Sequence, residues 1–287
     1  MINVHHLNCT TFRLRFARTF DGQRSLWDSH LTCVTHCLVV ETSQAGLVLV
    51  DTGFSLKDVE HPGRVSPIFH FVFRPPWKPE ETALAGIRAL GLNPQDVRHI
   101  VLTHLDYDHA AGLADFPWAT AHVDERELEA VRSGHSLQDR LRYDRPRLNQ
   151  HAHWKSYADS GGDNWYELQA VHPIEALGDD FALAPLPGHS PGHCGVLVRG
   201  PQGWLLHAGD AYMQRAELQP APLGPARTGV FQPVMQADGQ ARKASLACLA
   251  ELDQHRKAEV RIFCAHDQSE FEDLKKINGD KGHASIL

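Results

Sequence analysis

Six consecutive positions, His104-Leu105-Asp106-Tyr107-Asp108-His109, hold two histidines and two aspartates directly after the apolar run Ile100-Val101-Leu102. The run is short, β-branched and apolar, as a buried strand is, and Ala110-Ala111-Gly112-Leu113 suits the first turn of a helix packed closely against a sheet. Side chains at the end of such a strand fan into a shared crevice, where open α/β sheets place their ligands. His104 and Asp106 would share one face of an extended segment, and the turn into the helix aims Asp108 and His109 at a different point. The pattern fits two neighbouring metal ions. With 20 histidines in the chain any single one is weak evidence, whereas four ligand-type side chains in six positions carry weight.

The same strand-end context recurs. Gly46 to Val50 runs into Asp51-Thr52-Gly53, where Asp51 could be a turn residue or could orient a ligand histidine. Leu183 to Leu186 leads to Gly188-His189-Ser190-Pro191-Gly192-His193. Trp204 to Leu206 leads to Gly209-Asp210, and Val260 to Cys264 leads to Ala265-His266-Asp267. Helical spacing covers Glu80 to Leu90 before Gly91, Asp124 to Val131 with Asp124 as cap, and Gln240 to Arg256. The prolines and aromatics of Phe54 to Pro79 (Phe69, Phe71, Phe73, Trp77) mark an irregular segment that either covers an acyl pocket or forms a homodimer contact. His135 to Trp165 is polar and reads as a surface insertion; its His151-Ala152-His153 pair lacks a carboxylate at useful spacing. Lys275 to Leu287 is expected to fray.

At 287 residues with 35 acidic against 28 basic side chains, a net charge of −7, the chain is expected to bind neither nucleic acid nor an anionic membrane. No apolar stretch approaches a membrane span, and Met1 to His6 has no signal-peptide pattern. Six scattered cysteines suit free thiols in a reduced, cytoplasmic protein.

Taken together, an H-x-[HED]-x-D-H motif, a later Gly-His, a Gly-Asp and a final Ala-His, each after an apolar strand, resemble the metallo-β-lactamase superfamily of metal-dependent hydrolases. The resemblance runs from Asp51-Thr52-Gly53 to His266. It implies an α/β fold, an αβ/βα sandwich of two mixed sheets flanked by helices, as a single domain over residues 1–287 with insertions near 54–79 and 135–165. It also implies two divalent metal ions, one on His104, Asp106 and His189, the other on Asp108, His109 and His266, with Asp210 between them and a hydroxide as nucleophile. Asp108 and Tyr212 are the catalytic candidates. Tyr212, just after the bridging aspartate, resembles a tyrosine of the N-acyl-homoserine lactonases, one residue closer in spacing, and is a candidate oxyanion donor.

Asp106 departs from the family pattern, which usually has a second histidine there. It adds an anion that makes the two-metal site formally neutral, so the zinc habitual to the family competes with harder ions such as Mn or Fe. The reaction expected is hydrolysis of a small-molecule ester or lactone. Thioesters, phosphodiesters and sulfate esters are alternatives within the superfamily. A di-iron redox enzyme, or a non-catalytic metal-binding protein using the aromatic segment for a partner, are alternatives outside hydrolysis.

Overall fold

The computed structural model describes residues 2–14, 31–134, 139, 142–158, 162–219 and 235–279. They form two six-stranded sheets. In the first, β1 (Asn3–Leu14), β2 (Leu31–Glu41) and β3 (Leu47–Val50) run antiparallel, and β4 (Val97–Val101), β5 (Thr120–Asp124) and β6 (Trp154–Tyr157) extend it in parallel. In the second, β7 (Asp163–Trp165), β8 (Leu168–Pro173), β9 (Phe181–Pro185), β10 (Cys194–Gly200) and β11 (Gly203–His207) form an antiparallel meander, and β12 (Val260–Phe263) pairs in parallel with β11.

Period-two alternation builds the layers. In β3, Val48 and Val50 face inward with Leu38, Val40 and Val101 against Phe181, Leu183, Val196, Val198 and Phe263 of the other sheet. Leu49 and Ile100 face outward under Ala83 and Ile87 of α3 (Ala83–Ala89) and Leu128 and Val131 of α5 (Glu125–Ser133). On the far side, Leu197, Leu206 and Ile262 lie under Leu249 and Leu252 of α7 (Gly239–Arg256). A strand buried on both faces must be apolar throughout, which is why β3 and the end of β4 read as continuous hydrophobic runs. This is the expected αβ/βα sandwich.

Three expectations need correction. Phe54 to Pro79 is largely helical: α1 (Leu56–Glu60), a 3₁₀ turn at Pro62–Arg64 and α2 (Pro67–Phe73), whose Phe69 packs with Phe12 and Phe54 in an aromatic cluster. The 135–165 segment carries a short helix α6 (Arg145–Leu148) and the edge strands β6 and β7, so part of it is sheet and not an appendage. His151 there is buried and donates from Nε2 to the Ala119 carbonyl. Lys275 to Gly279 belongs to α8 (Gln268–Gly279), because Phe271 and Leu274 anchor that helix on the core; the rest of the expected frayed end lies outside the described residues. All six cysteines are free thiols. Among the described residues no helix is long and apolar enough to cross a membrane.

Candidate metal centre

The C-terminal ends of β3, β4, β11 and β12 meet at one edge of the sandwich. The chain leaves β4 through Thr103 to Asp106 and enters α4 (Tyr107–Ala110), so His104 and Asp106 project from extended backbone and Asp108 and His109 from the first helical turn. His189 comes from the β9–β10 loop, Asp210 from just after β11 and His266 from just after β12. All seven expected ligands therefore converge.

They separate into two groups. Nε2 of His189 is 3.0 Å and Nε2 of His104 is 3.5 Å from Oδ2 of Asp106, and Oδ2 of Asp210 lies 3.5 and 4.0 Å from the same two nitrogens. In the second group Oδ2 of Asp108 is 3.7 Å from Nε2 of His109 and 3.6 Å from that of His266, while Oδ1 of Asp210 is 3.2 and 3.1 Å from them. Donor atoms about 2.0–2.2 Å from one tetrahedral ion stand roughly 3.4 Å apart. His104, His189 and Asp210 form one group of such dimensions and Asp108, His109 and His266 another, with Asp106 beside the first. Asp210 lies between the two, its Oδ2 also 3.2 Å from His266 Nε2.

Hydrogen bonds fix the rings for that task. Nδ1 of His104 donates to Thr103 Oγ1, Nδ1 of His109 to Asp51 Oδ2 and Nδ1 of His266 to the Val34 carbonyl, which leaves Nε2 as the inward lone pair in each. Asp51 also accepts from the amide and hydroxyl of Thr103. It adopts φ 54° there and orients the His109 ring. Nε2 of His104 and of His109 and Oδ1 of Asp210 are buried without a hydrogen-bond partner. Orphaned buried polar atoms cost about 1–3 kcal/mol each, and three of them aimed inward fit a cation that the protein is built to receive. Burial, then the Arg142 guanidinium, pushes His189 down to about 4, whereas at His109 and His266 burial is outweighed by the carboxylates of Asp210 and Asp108, which push both up.

Several contributors were not legible in the sequence. Arg142 is buried and grips Asp106 in a fork, Nε to Oδ1 at 2.8 Å and Nη2 to Oδ2 at 2.9 Å. Burial alone would raise the Asp106 carboxyl, but Arg142 and then His104 hold it well below the usual carboxylate range. The formally neutral site inferred from Asp106 is thereby corrected: the guanidinium restores one positive charge. His193 donates from Nδ1 to the Leu186 carbonyl and accepts at Nε2 from the Asp210 amide, fixing the shared carboxylate. Glu127 accepts from the amides of Leu105 and Gly192 and so ties two ligand loops together. The Gly188-to-His193 run offered His193 as a signal; nothing in the polar stretch around Arg142 distinguished it.

Tyr212 is not brought to the site. It is fully buried in the core of the second sheet, and its hydroxyl donates to Glu270 at 3.0 Å. Of the aromatic segment, Phe73 alone reaches the small cavity over the ligands, stacked on Phe69 at 4.3 Å, beside Phe12, Leu14, Cys33, Met213 and Met235. Ile68 and Phe71 face solvent.

Residues 31–246 match the family described as the metallo-beta-lactamase superfamily. The chain belongs to that superfamily. It is 37% identical over 93% of its length to a "probable metallo-hydrolase" of Mycobacterium tuberculosis, covering 80% of that protein. It is 32% identical to the N-acyl homoserine lactonase AttM of Azorhizobium caulinodans over 49% of this chain and 51% of that one. In fold it is similar to an N-acyl homoserine lactone hydrolase solved with N-hexanoyl-L-homoserine at its catalytic metal centre, with a TM-score of 0.70 at 20% identity over 94% of this chain and 95% of that one. The dizinc lactonase AidC is also similar, with a TM-score of 0.62 at 16% identity over 93% of this chain and 87% of that one. This member is a metal-dependent hydrolase with lactonase-like relatives.

Proposed function

We propose that this hydrolase opens an ester or lactone of a small, partly apolar molecule at a two-metal centre, with the whole of residues 1–287 acting as one domain. His104, Asp106 and His189 would hold one ion, Asp108, His109 and His266 the other, with Asp210 between them. The observation that carries this reading is Asp210, whose carboxylate lies between two sets of inward donors, Oδ2 3.5 Å from His189 Nε2 and Oδ1 3.1 Å from His266 Nε2. Two divalent ions held there would polarise a carbonyl oxygen and acidify water.

The chain's own residues do the rest. Phe12, Leu14, Phe73, Met213 and Met235 line the cavity beside the ligands, an apolar wall suited to an acyl group. Asp108 lines the same cavity with Oδ2 toward His109 and His266. Its other oxygen can take a proton from the attacking water and return it to the departing alkoxide. No Ser or Cys nucleophile is required. Zinc is the proposed metal in both positions. The test is turnover of a panel of acyl lactones, aryl esters, thioesters, sulfate esters and phosphodiesters by protein reconstituted separately with Zn, Mn, Fe and Co. Lactone or ester hydrolysis that rises with acyl length is expected; phosphodiester or thioester turnover without it would overturn the assignment.

A further inference from the structure

We infer that Arg142 is a positioning residue of the first metal position, one that gives the Asp106 carboxylate the charge and the fixed direction of a neutral imidazole. The inference rests on the ligand sets proposed above. Three observations carry it.

The first is charge. With Asp106 the ligand set holds three carboxylates where a histidine at that position would leave two. The guanidinium, paired with Asp106 at 2.8 and 2.9 Å, cancels the third. Both groups are buried, at 3% and 5% exposure, so the pair is little screened by water. The second is direction. A free carboxylate rotates and can bind an ion through either oxygen or both. Here both oxygens are held by a planar fork, a geometry that arginine offers and lysine does not. Oδ2 accepts from Nη2 while standing 3.0 Å from His189 Nε2 and 3.5 Å from His104 Nε2. One of its lone pairs goes to the guanidinium and the other is left for the point the two histidines share. The third is reach. Nη1 donates to the carbonyls of His189 at 2.7 Å and Met235 at 2.8 Å, so one side chain sets the loops of two ligands and a wall of the cavity.

The pairing also has a sign. Removing Arg142 leaves an uncompensated, rotating carboxylate at the first position. Replacing Asp106 by histidine leaves Arg142 as an unpaired buried cation beside a divalent ion, so the guanidinium that supports the aspartate opposes an imidazole in its place. Removing both should restore a histidine-type site. The charge reason for preferring Mn or Fe over Zn disappears for the same cause.

The experiment is a cycle of Arg142→Met, Asp106→His and the double variant, with Arg142→Lys as the charge-retaining control. Metal content is measured after dialysis, and the two affinities are resolved by competition with a chromophoric chelator and by the visible spectrum of cobalt-loaded protein. Wild type is expected to hold two ions. Arg142→Met and Asp106→His should each weaken one ion at least tenfold and leave the other unchanged, the scale of losing a group that orients a ligand. Arg142→Lys should fall between wild type and Arg142→Met, and the double variant should bind at least about threefold tighter than Asp106→His, stopping short of wild type because the carbonyls of His189 and Met235 lose their donor. If Arg142→Met retains both affinities, or the double variant binds no better than Asp106→His, the inference is overturned. Should Arg142→Met not fold, the comparison of Asp106→His with the double variant decides alone. Wild type that holds a single ion at saturation overturns the two-metal reading itself, and the inference with it.

Discussion

Tyr212 and Asp106 show how much a single residue's surroundings decide. Tyr212 follows Asp210 by two positions, but its ring turns into the core under α7 and its hydroxyl meets Glu270, Arg215's partner, on the far side of the sheet. Tyr212→Phe is therefore expected to leave turnover per metal-loaded site within about twofold while lowering stability by about 1–2 kcal/mol, the loss of one buried hydrogen bond to a carboxylate. Steady-state kinetics and urea melts check it, and a tenfold loss of turnover at full metal content would return Tyr212 to the reaction. The seven proposed ligands were legible because each follows an apolar run beside a turn. The direction of Tyr212 was not, since a residue after a strand can face either side of the sheet. Arg142 was not, because its partner stands 36 positions away and a guanidinium in a polar stretch carries no periodic signal.

At the scale of elements, the ligand-bearing turn after β4 is braced by its neighbours. The 3₁₀ segment Ala111–Asp115 continues from α4, and Asp115 accepts from the Leu56 amide at the start of α1. Burial, with Asp58 adding repulsion, pushes the Asp115 carboxyl up to about 6. An acid whose folded pKa is raised binds more protons folded than unfolded, so its contribution to stability falls as pH rises from about 4 to about 6 and is flat above that. Asp115→Asn, which keeps the amide's acceptor, should remove this slope; chemical denaturation at pH 4.5, 5.5 and 7 would show it, and an unchanged slope would count against the assignment. Strands and long helices were readable from periodicity. The helices α1 and α2 were hidden because each is only a turn or two long and the prolines between and after them read as loop, and β6 and β7 because edge strands of three or four residues have too little alternation to stand out.

The whole molecule is two sheets that close on one site. His104, Asp106, Asp108 and His109 hang from the first and His189, Asp210 and His266 from the second, so metal bound by the proposed set would cross-link the halves. Anything that binds the folded state alone stabilises it, by about 4 kcal/mol for each ion present at a thousandfold above its Kd. For a chain of this size, stripping the metal should then lower Tm on the order of 10 °C. Thermal melts before and after chelation, with metal content measured, test this; an unchanged Tm after complete loss would place the ligands outside the folding unit.

The division of ligands between sheets also says what would happen to a severed chain. A polypeptide cut between β6 and β7 would yield one fragment with four donors and another with three, including the carboxylate both ions share. Neither could complete a coordination sphere alone, and their recombination would be gated by divalent metal and reversed by a chelator. The ions would act as a clasp between two half-proteins, and the site would report on their reunion.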